Sequence, residues 1–142
     1  MNDNLFIIRI GNCENFEKSK HLNTWGIREK FENSIKKFNS NTILIFVKNG
    51  NIIIGFAKFK KYYNREDKTL NPTIKEIIDK LDCFNTEEYP IIIIYEDLFE
   101  FKKEIKFINK LGQGSYMKFD EYKHKIDCEY NLVDIINIKY NY

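Results

Sequence analysis

The sequence predicts a single α+β domain, and three observations carry that prediction. Residues 42–48 and 52–63 are apolar, strand-like runs joined by Asn49-Gly50-Asn51. Asn-Gly tolerates the positive φ that a tight turn needs, so the pair reads as an antiparallel hairpin. Within residues 26–38, Ile27, Phe31, Ile35 and Phe38 recur at helical spacing, which predicts an amphipathic helix. No repeat, low-complexity linker or shift in composition divides the 142 residues, a length that one core can fill.

The other elements follow in chain order. Residues 5–10 read as a first strand. Residues 13–22 read as a short helix with Asn12 as its cap. Asn39-Ser40-Asn41 stops the helix of residues 26–38. After the hairpin, residues 64–72 form a polar loop. Residues 73–81 predict another helix, with Ile74, Ile77, Ile78 and Leu81 on one side. Pro90 opens a buried strand over residues 91–95. Residues 96–111 fit helix or strand equally, and Gly112-Gln113-Gly114 is a loop. Residues 129–138 read as a closing helix, although Ile135, Ile136 and Ile138 also suit a strand.

Composition excludes several function classes. The 23 basic and 21 acidic residues leave a net charge of +2. A nucleic acid would therefore be held by a local patch and not by the whole chain. Lysine is the default polar residue; arginine occurs only at Arg9, Arg28 and Arg65. Cys13, Cys83 and Cys128 form no CxxC pair, which predicts a reducing, intracellular setting, in cytoplasm or nucleus, without disulfides. His21 and His124 are too isolated for a zinc signature. The apolar runs are too short for a membrane helix or a signal peptide. The acidic pairs Glu87-Glu88 and Glu96-Asp97 do not converge on a substrate, and the Gly112 loop lacks a phosphate-loop pattern. No catalytic residue, metal or cofactor is expected.

Several motifs carry a family resemblance. FIIRI is followed by NCEN and, after a gap, by NTW. TILIFV, a short turn and IIIGFAKF follow, including the run ILIF and the tripeptide GFA. CEYNLVDII closes the chain, after FDEYKHKI. Over residues 6–63 this pattern resembles the YTH domain, a reader of N6-methyladenosine in RNA, and the likeness is weaker beyond. YTH domains belong to the PUA-like superfamily, whose EVE branch has a similar Trp-Gly segment and hairpin. The resemblance implies one YTH-like domain over residues 1–142, built as a PUA-like small curved sheet or pseudo-barrel with flanking helices. It implies a binding module for single-stranded RNA carrying methylated adenine, with no chemistry of its own.

The resemblance also implies a site. A methyl group is worth only about 0.8 kcal/mol by area, so discrimination needs a snug aromatic pocket. Stacking adds about 1–3 kcal/mol without distinguishing bases, so polar groups must supply identity. Trp25 falls at the position of the cage wall. Asn15 falls where a side chain faces the Watson–Crick edge of the base, and its amide can donate to the ring N1. Gly26 stands where the family usually has Ser or Cys; its carbonyl can still accept the N6 hydrogen. Asn12 joins the pocket. The family's second aromatic wall, often Trp, has no Trp counterpart here. Tyr62, Tyr63, Leu70 and Phe84 are the substitutes, with Leu70 and Phe84 assigned to the pocket. Arg9, Arg28, Lys60, Lys61 and Lys118 are the expected backbone contacts, with Lys20 and Arg65 also at the rim. Phe119, beside Lys118, replaces the family's phosphate-binding arginine. Two other readings stay open: an EVE-type reader of modified DNA bases, and a protein-interaction or decoy module that kept the fold and lost the pocket. Taken without Asn15, Trp25 would read as core.

Overall fold

A computed structural model describes residues 5–67, 69, 71–73, 76, 89–106, 116–118 and 132–140, with the side chains of 116–118 and 133 left aside. Its strands are β1 (Leu5–Arg9), β2 (Thr24–Ile27), β3 (Ile43–Lys48), β4 (Ile52–Asn64), β5 (Ile91–Lys106) and β6 (Tyr116–Lys118). Its helices are α1 (Glu14–Ser19), α2 (Glu32–Ile35) and α3 (Leu132–Tyr140), with 3-10 turns at Lys20–Leu22 and Glu29–Phe31. The strands form one mixed sheet in the order β2-β5-β4-β3-β1-β6. The α+β class and the sheet with flanking helices are thus present.

Strand alternation explains the layering. Side chains point to opposite faces in turn. Leu5, Ile7, Ile43, Ile45 and Phe56 lie on one face and pack with Leu132 and Ile136 of α3. Ile8, Leu44, Phe46, Ile93 and Tyr95 lie on the other and pack with Phe16, Ile35 and Phe38 from the α1–α2 segment. β3 is covered on both faces, which is why ILIFV is a continuous apolar run.

The hairpin forms as the Asn-Gly pair predicts. Gly50 has φ 88° and Asn51 φ 58°, the left-handed values that close the turn. β1 pairs with β3 in parallel, and the α1–β2–α2 segment makes the crossover. The ladder between β4 and β5 shifts register three times. Such irregularities increase twist and curl the sheet. At Gly55 the strands approach so closely that a Cβ would collide with the Phe99 carbonyl oxygen.

Two expectations change. Residues 26–38 are not one helix. Trp25, Gly26 and Ile27 pair with Ile93, Ile92 and Ile91, so the segment begins as sheet. A 3-10 turn and the one-turn helix α2 follow. The apolar spacing was still informative, because Ile27, Phe31, Ile35 and Phe38 all reach the same cluster. The pattern recorded burial, and tertiary pairing chose the backbone. The buried strand from residue 91 does not stop at 95; it runs to Lys106, which settles the ambiguous segment as strand that far. Phe99, Phe101 and Ile105 alternate onto the α3 face.

The remaining elements agree in part. α1 begins beside Asn12, whose Oδ1 accepts the Glu14 amide hydrogen at 3.0 Å. Cys13, with φ 72° and no side-chain cap bond, and not Asn12, is the N-cap residue, and the expected helix of residues 13–22 is α-helical only over Glu14–Ser19 before a 3-10 turn. The closing helix is observed from Leu132 to Tyr140. Of the helix expected over residues 73–81, Thr73 and Glu76 are helical; Ile74, Ile77, Ile78 and Leu81 lie outside the described residues. So do the Gly112 loop, Cys83, Cys128, His124, Phe119, Leu70 and Phe84.

Candidate functional site

Trp25 lies on β2, an edge strand, opposite Ile93 of β5. Ile93 in turn faces Tyr62 of β4. Cross-strand partners share a face, so Trp25, Ile93 and Tyr62 form one row across three strands. Strand spacing puts the two aromatic positions about 10 Å apart along that row. Ile93 is fully buried, whereas Trp25 and Tyr62 are half-buried. The row is therefore an apolar floor between two partly exposed rings. Tyr63 pairs with Ile92 and belongs to the opposite face.

Trp25 is rooted from below. Its ring centroid lies 6.2 Å from that of Phe16 on α1. Phe16 lies 4.9 Å from Phe46, which lies 5.1 Å from Tyr95. This aromatic chain ties the edge strand to the sealed core. Trp25 is thus neither a core residue nor a free surface ring; it stands at the margin between them.

Asn15 precedes Phe16 on α1 and is exposed, so the helix turns its amide outward while Phe16 turns in. The Asn15 amide makes no hydrogen bond among the described residues. Asn12 is exposed in the preceding turn with its Oδ1 engaged by Glu14. Gly26 is buried within β2. Among the described residues β2 stands at one end of the sheet, paired only with β5.

The expected basic contacts do not gather in one place. Arg28 directly follows β2, with its guanidinium 5.7 Å from the Tyr89 ring centroid. Lys60 and Lys61 are exposed on β4, and the Lys61 amine lies 5.4 Å from the Tyr63 ring centroid. Arg9 ends β1, four strands from β2 in the sheet order, and Lys118 lies on β6 beyond it. Arg65 follows β4, and its amide donates to the Pro90 carbonyl. Lys20 contacts Glu17 at 2.7 Å and Glu100 at 3.2 Å. The Glu17 hydrogen bond holds its ammonium pKa above the ordinary lysine value. Two carboxylates neutralise it, which removes Lys20 as a strong rim contact. Burial pushes the nearby Cys13 thiol up, away from the reactive thiolate.

Among the described residues no group of three or more His, Cys, Asp or Glu could hold a metal ion. No helix among them is long and apolar enough to cross a membrane. Sequence reasoning included Tyr62 among the substitutes for the second wall but assigned Leu70 and Phe84 to the pocket, both outside the described residues; that Tyr62 shares the Trp25 face depends on strand register.

No protein-family model matches the chain, and no curated protein matches it. The structure is similar to that of the YTH domain-containing protein mmi1 in complex with RNA. That similarity covers 70% of this chain and 58% of the other, at 14% identity and a TM-score of 0.44. It is also similar to the YTH domain of the Zygosaccharomyces rouxii MRB1 protein in complex with N6-methyladenosine RNA. There 69% of this chain and 60% of the other are covered, at 13% identity and a TM-score of 0.40. The chain thus spans less than two thirds of either.

Proposed function

We propose that this protein is a non-catalytic reader of N6-methyladenosine in single-stranded RNA, with Trp25 and Tyr62 as the two aromatic walls of its pocket. One observation carries the reading: the row Trp25–Ile93–Tyr62, two half-exposed rings standing on a buried apolar floor. The motifs around Trp25 and the central hairpin agree with it. An unpaired base enters between the rings, with stacking supplying about 1–3 kcal/mol. Its methyl group packs against the aromatic wall. Asn15 donates its amide to the ring N1, and a β2 carbonyl at Gly26 accepts the N6 hydrogen. Arg28, Lys60 and Lys61 supply charge for the flanking phosphates.

Trp25 is the only tryptophan, so its fluorescence reports the site directly. Short single-stranded RNAs with and without N6-methyladenine are titrated in parallel. The methylated RNA is expected to bind more tightly, by at least about fourfold from the methyl group alone. Trp25→Phe, which lacks the tryptophan reporter and is followed by the anisotropy of end-labelled RNA, weakens both and narrows the gap, and Tyr62→Ala removes the preference. Equal affinities for the two RNAs in the native protein would overturn the reading. Tighter binding of DNA carrying modified cytosine would move the protein to the EVE type.

A further inference from the structure

α1 carries Asn15 and is six residues long, with no side-chain bond capping its first turn at Cys13. A helix so short has little stability of its own, so the groups it touches set its position. Backbone bonds tie its segment to the sheet on both sides. The Asn49 amide donates to the Gly11 carbonyl at 2.7 Å, and the Tyr95 amide donates to the Asn23 carbonyl at 3.0 Å. Those bonds fix where α1 lies and leave its roll about its own axis to side chains. Phe16 and Ser19 are buried and define the inward face.

Lys20, the C-cap residue of α1, adds a contact of another kind. Its ammonium donates to both Glu100 carboxylate oxygens on β5, at 3.2 Å and 3.5 Å, and lies 2.7 Å from Glu17 on the helix itself. The Lys20 side chain is only 21% exposed, so solvent screens this pair less than a pair on open surface. Glu100 stands opposite Gly55, where β4 and β5 approach closely, so its carboxylate hangs from a fixed part of the strand. The same strand carries Ile93, the floor of the proposed pocket.

The angles around α1 connect Lys20 to Asn15. Lys20 keeps a right-handed helical backbone. Successive helix residues turn by about 100°, so Lys20 stands about 40° to one side of Phe16 and Asn15 about 100° to the other. Any roll about the Phe16 anchor therefore lifts one of them as it lowers the other.

We infer that Lys20 is a positioning residue: its bridge to Glu100 fixes the roll of α1 and with it the direction in which Asn15 presents its amide. The inference rests on the reading of Asn15 as the contact to the ring N1. Lys20 needs no contact with RNA, because its charge is already met by two carboxylates.

Two readouts test this on the full chain. The first is the pair of Asn15 side-chain amide NMR signals in the free protein. Lys20→Gln and Glu100→Gln, one at each end of the bridge, should both shift or broaden them, and Lys20→Arg should leave them in place. Urea midpoints should barely move, because ion pairs near the surface contribute little to stability. The second readout is the anisotropy of end-labelled RNA carrying N6-methyladenine, or the same base with C–H in place of the ring N1. The native protein should prefer the base that has N1 by roughly tenfold. Each Gln variant should narrow that ratio to about threefold, and Lys20→Arg should restore it. In an Asn15→Ala background, Lys20→Gln should have no further effect on the ratio, the non-additivity expected of coupled residues. Asn15 signals that stay in place in both Gln variants overturn the inference, as does a loss in Lys20→Arg equal to that in Lys20→Gln. A native protein indifferent to N1 overturns the base contact instead, and the free-protein signals then judge the Lys20 bridge by themselves.

Discussion

Tyr95 is fully buried, yet its hydroxyl has no hydrogen-bond partner among the described residues. An unpaired buried hydroxyl costs stability, so Tyr95→Phe should be neutral or stabilising by up to about 1 kcal/mol in urea unfolding. The same burial, with the Glu100 carboxylate adding to it, raises the Tyr95 pKa. Cys13 is raised by burial, and Lys20 by its Glu17 hydrogen bond. Each of these groups keeps its proton to higher pH when folded than when unfolded. Their stabilising effect is complete below the ordinary values of 9.0, 10.0 and 10.5 and is lost as pH rises through the folded values. Urea midpoints should therefore hold through the neutral range and fall above about pH 9. Tyr95→Phe should remove the part of that fall that begins near pH 10. An unchanged alkaline profile in the variant would contradict this account. At Trp25, rooted on Phe16, alanine should cost about 2 kcal/mol of packing. Phenylalanine is the cleaner replacement for that reason.

At the scale of elements, two glycines in the hairpin ladder do different work. Gly50 sits at φ 88°, and a Cβ there would meet only the Ile52 side chain, at an ordinary contact distance of 3.6 Å, so Gly50→Ala meets mainly conformational strain, about 1 kcal/mol. Gly55 meets the Phe99 carbonyl, a backbone atom that cannot swing aside. Gly55→Ala should cost more, about 1–3 kcal/mol, and should loosen the β4–β5 ladder. Thermal melts of the two variants check the order. The first glycine was legible in the sequence, because Asn-Gly announces its own turn. The second was not, because the close approach exists only once β5 is in register. The same distinction explains residues 26–38. Their apolar spacing was readable, but β2 formed because Ile91, Ile92 and Ile93 offered a ladder that local propensity does not anticipate.

Across the whole molecule, α3 closes one face of the sheet through Leu132 and Ile136 and is pinned at its end by Tyr140. Tyr140→Phe should keep the ring packing against Phe56 and lose the bond to Asp97, costing about 1 kcal/mol. Hydrogen exchange around Asp97 should quicken in that variant, whereas unchanged protection would separate the helix end from that part of β5. The candidate site divides in a similar way. Trp25, Asn15 and the hairpin were recognisable as residues and spacings, and none of these depends on distant parts of the chain. By itself, the sequence determined the α+β class, the hairpin turn, the apolar content of each strand and the family likeness, all of which are encoded in neighbouring residues. Only the tertiary structure decided that Trp25 stands on a strand, that Tyr62 and not Tyr63 shares its face, and that Lys20 meets Glu100 of β5. Those facts depend on register and on crossovers, where a shift of one residue reverses every side chain.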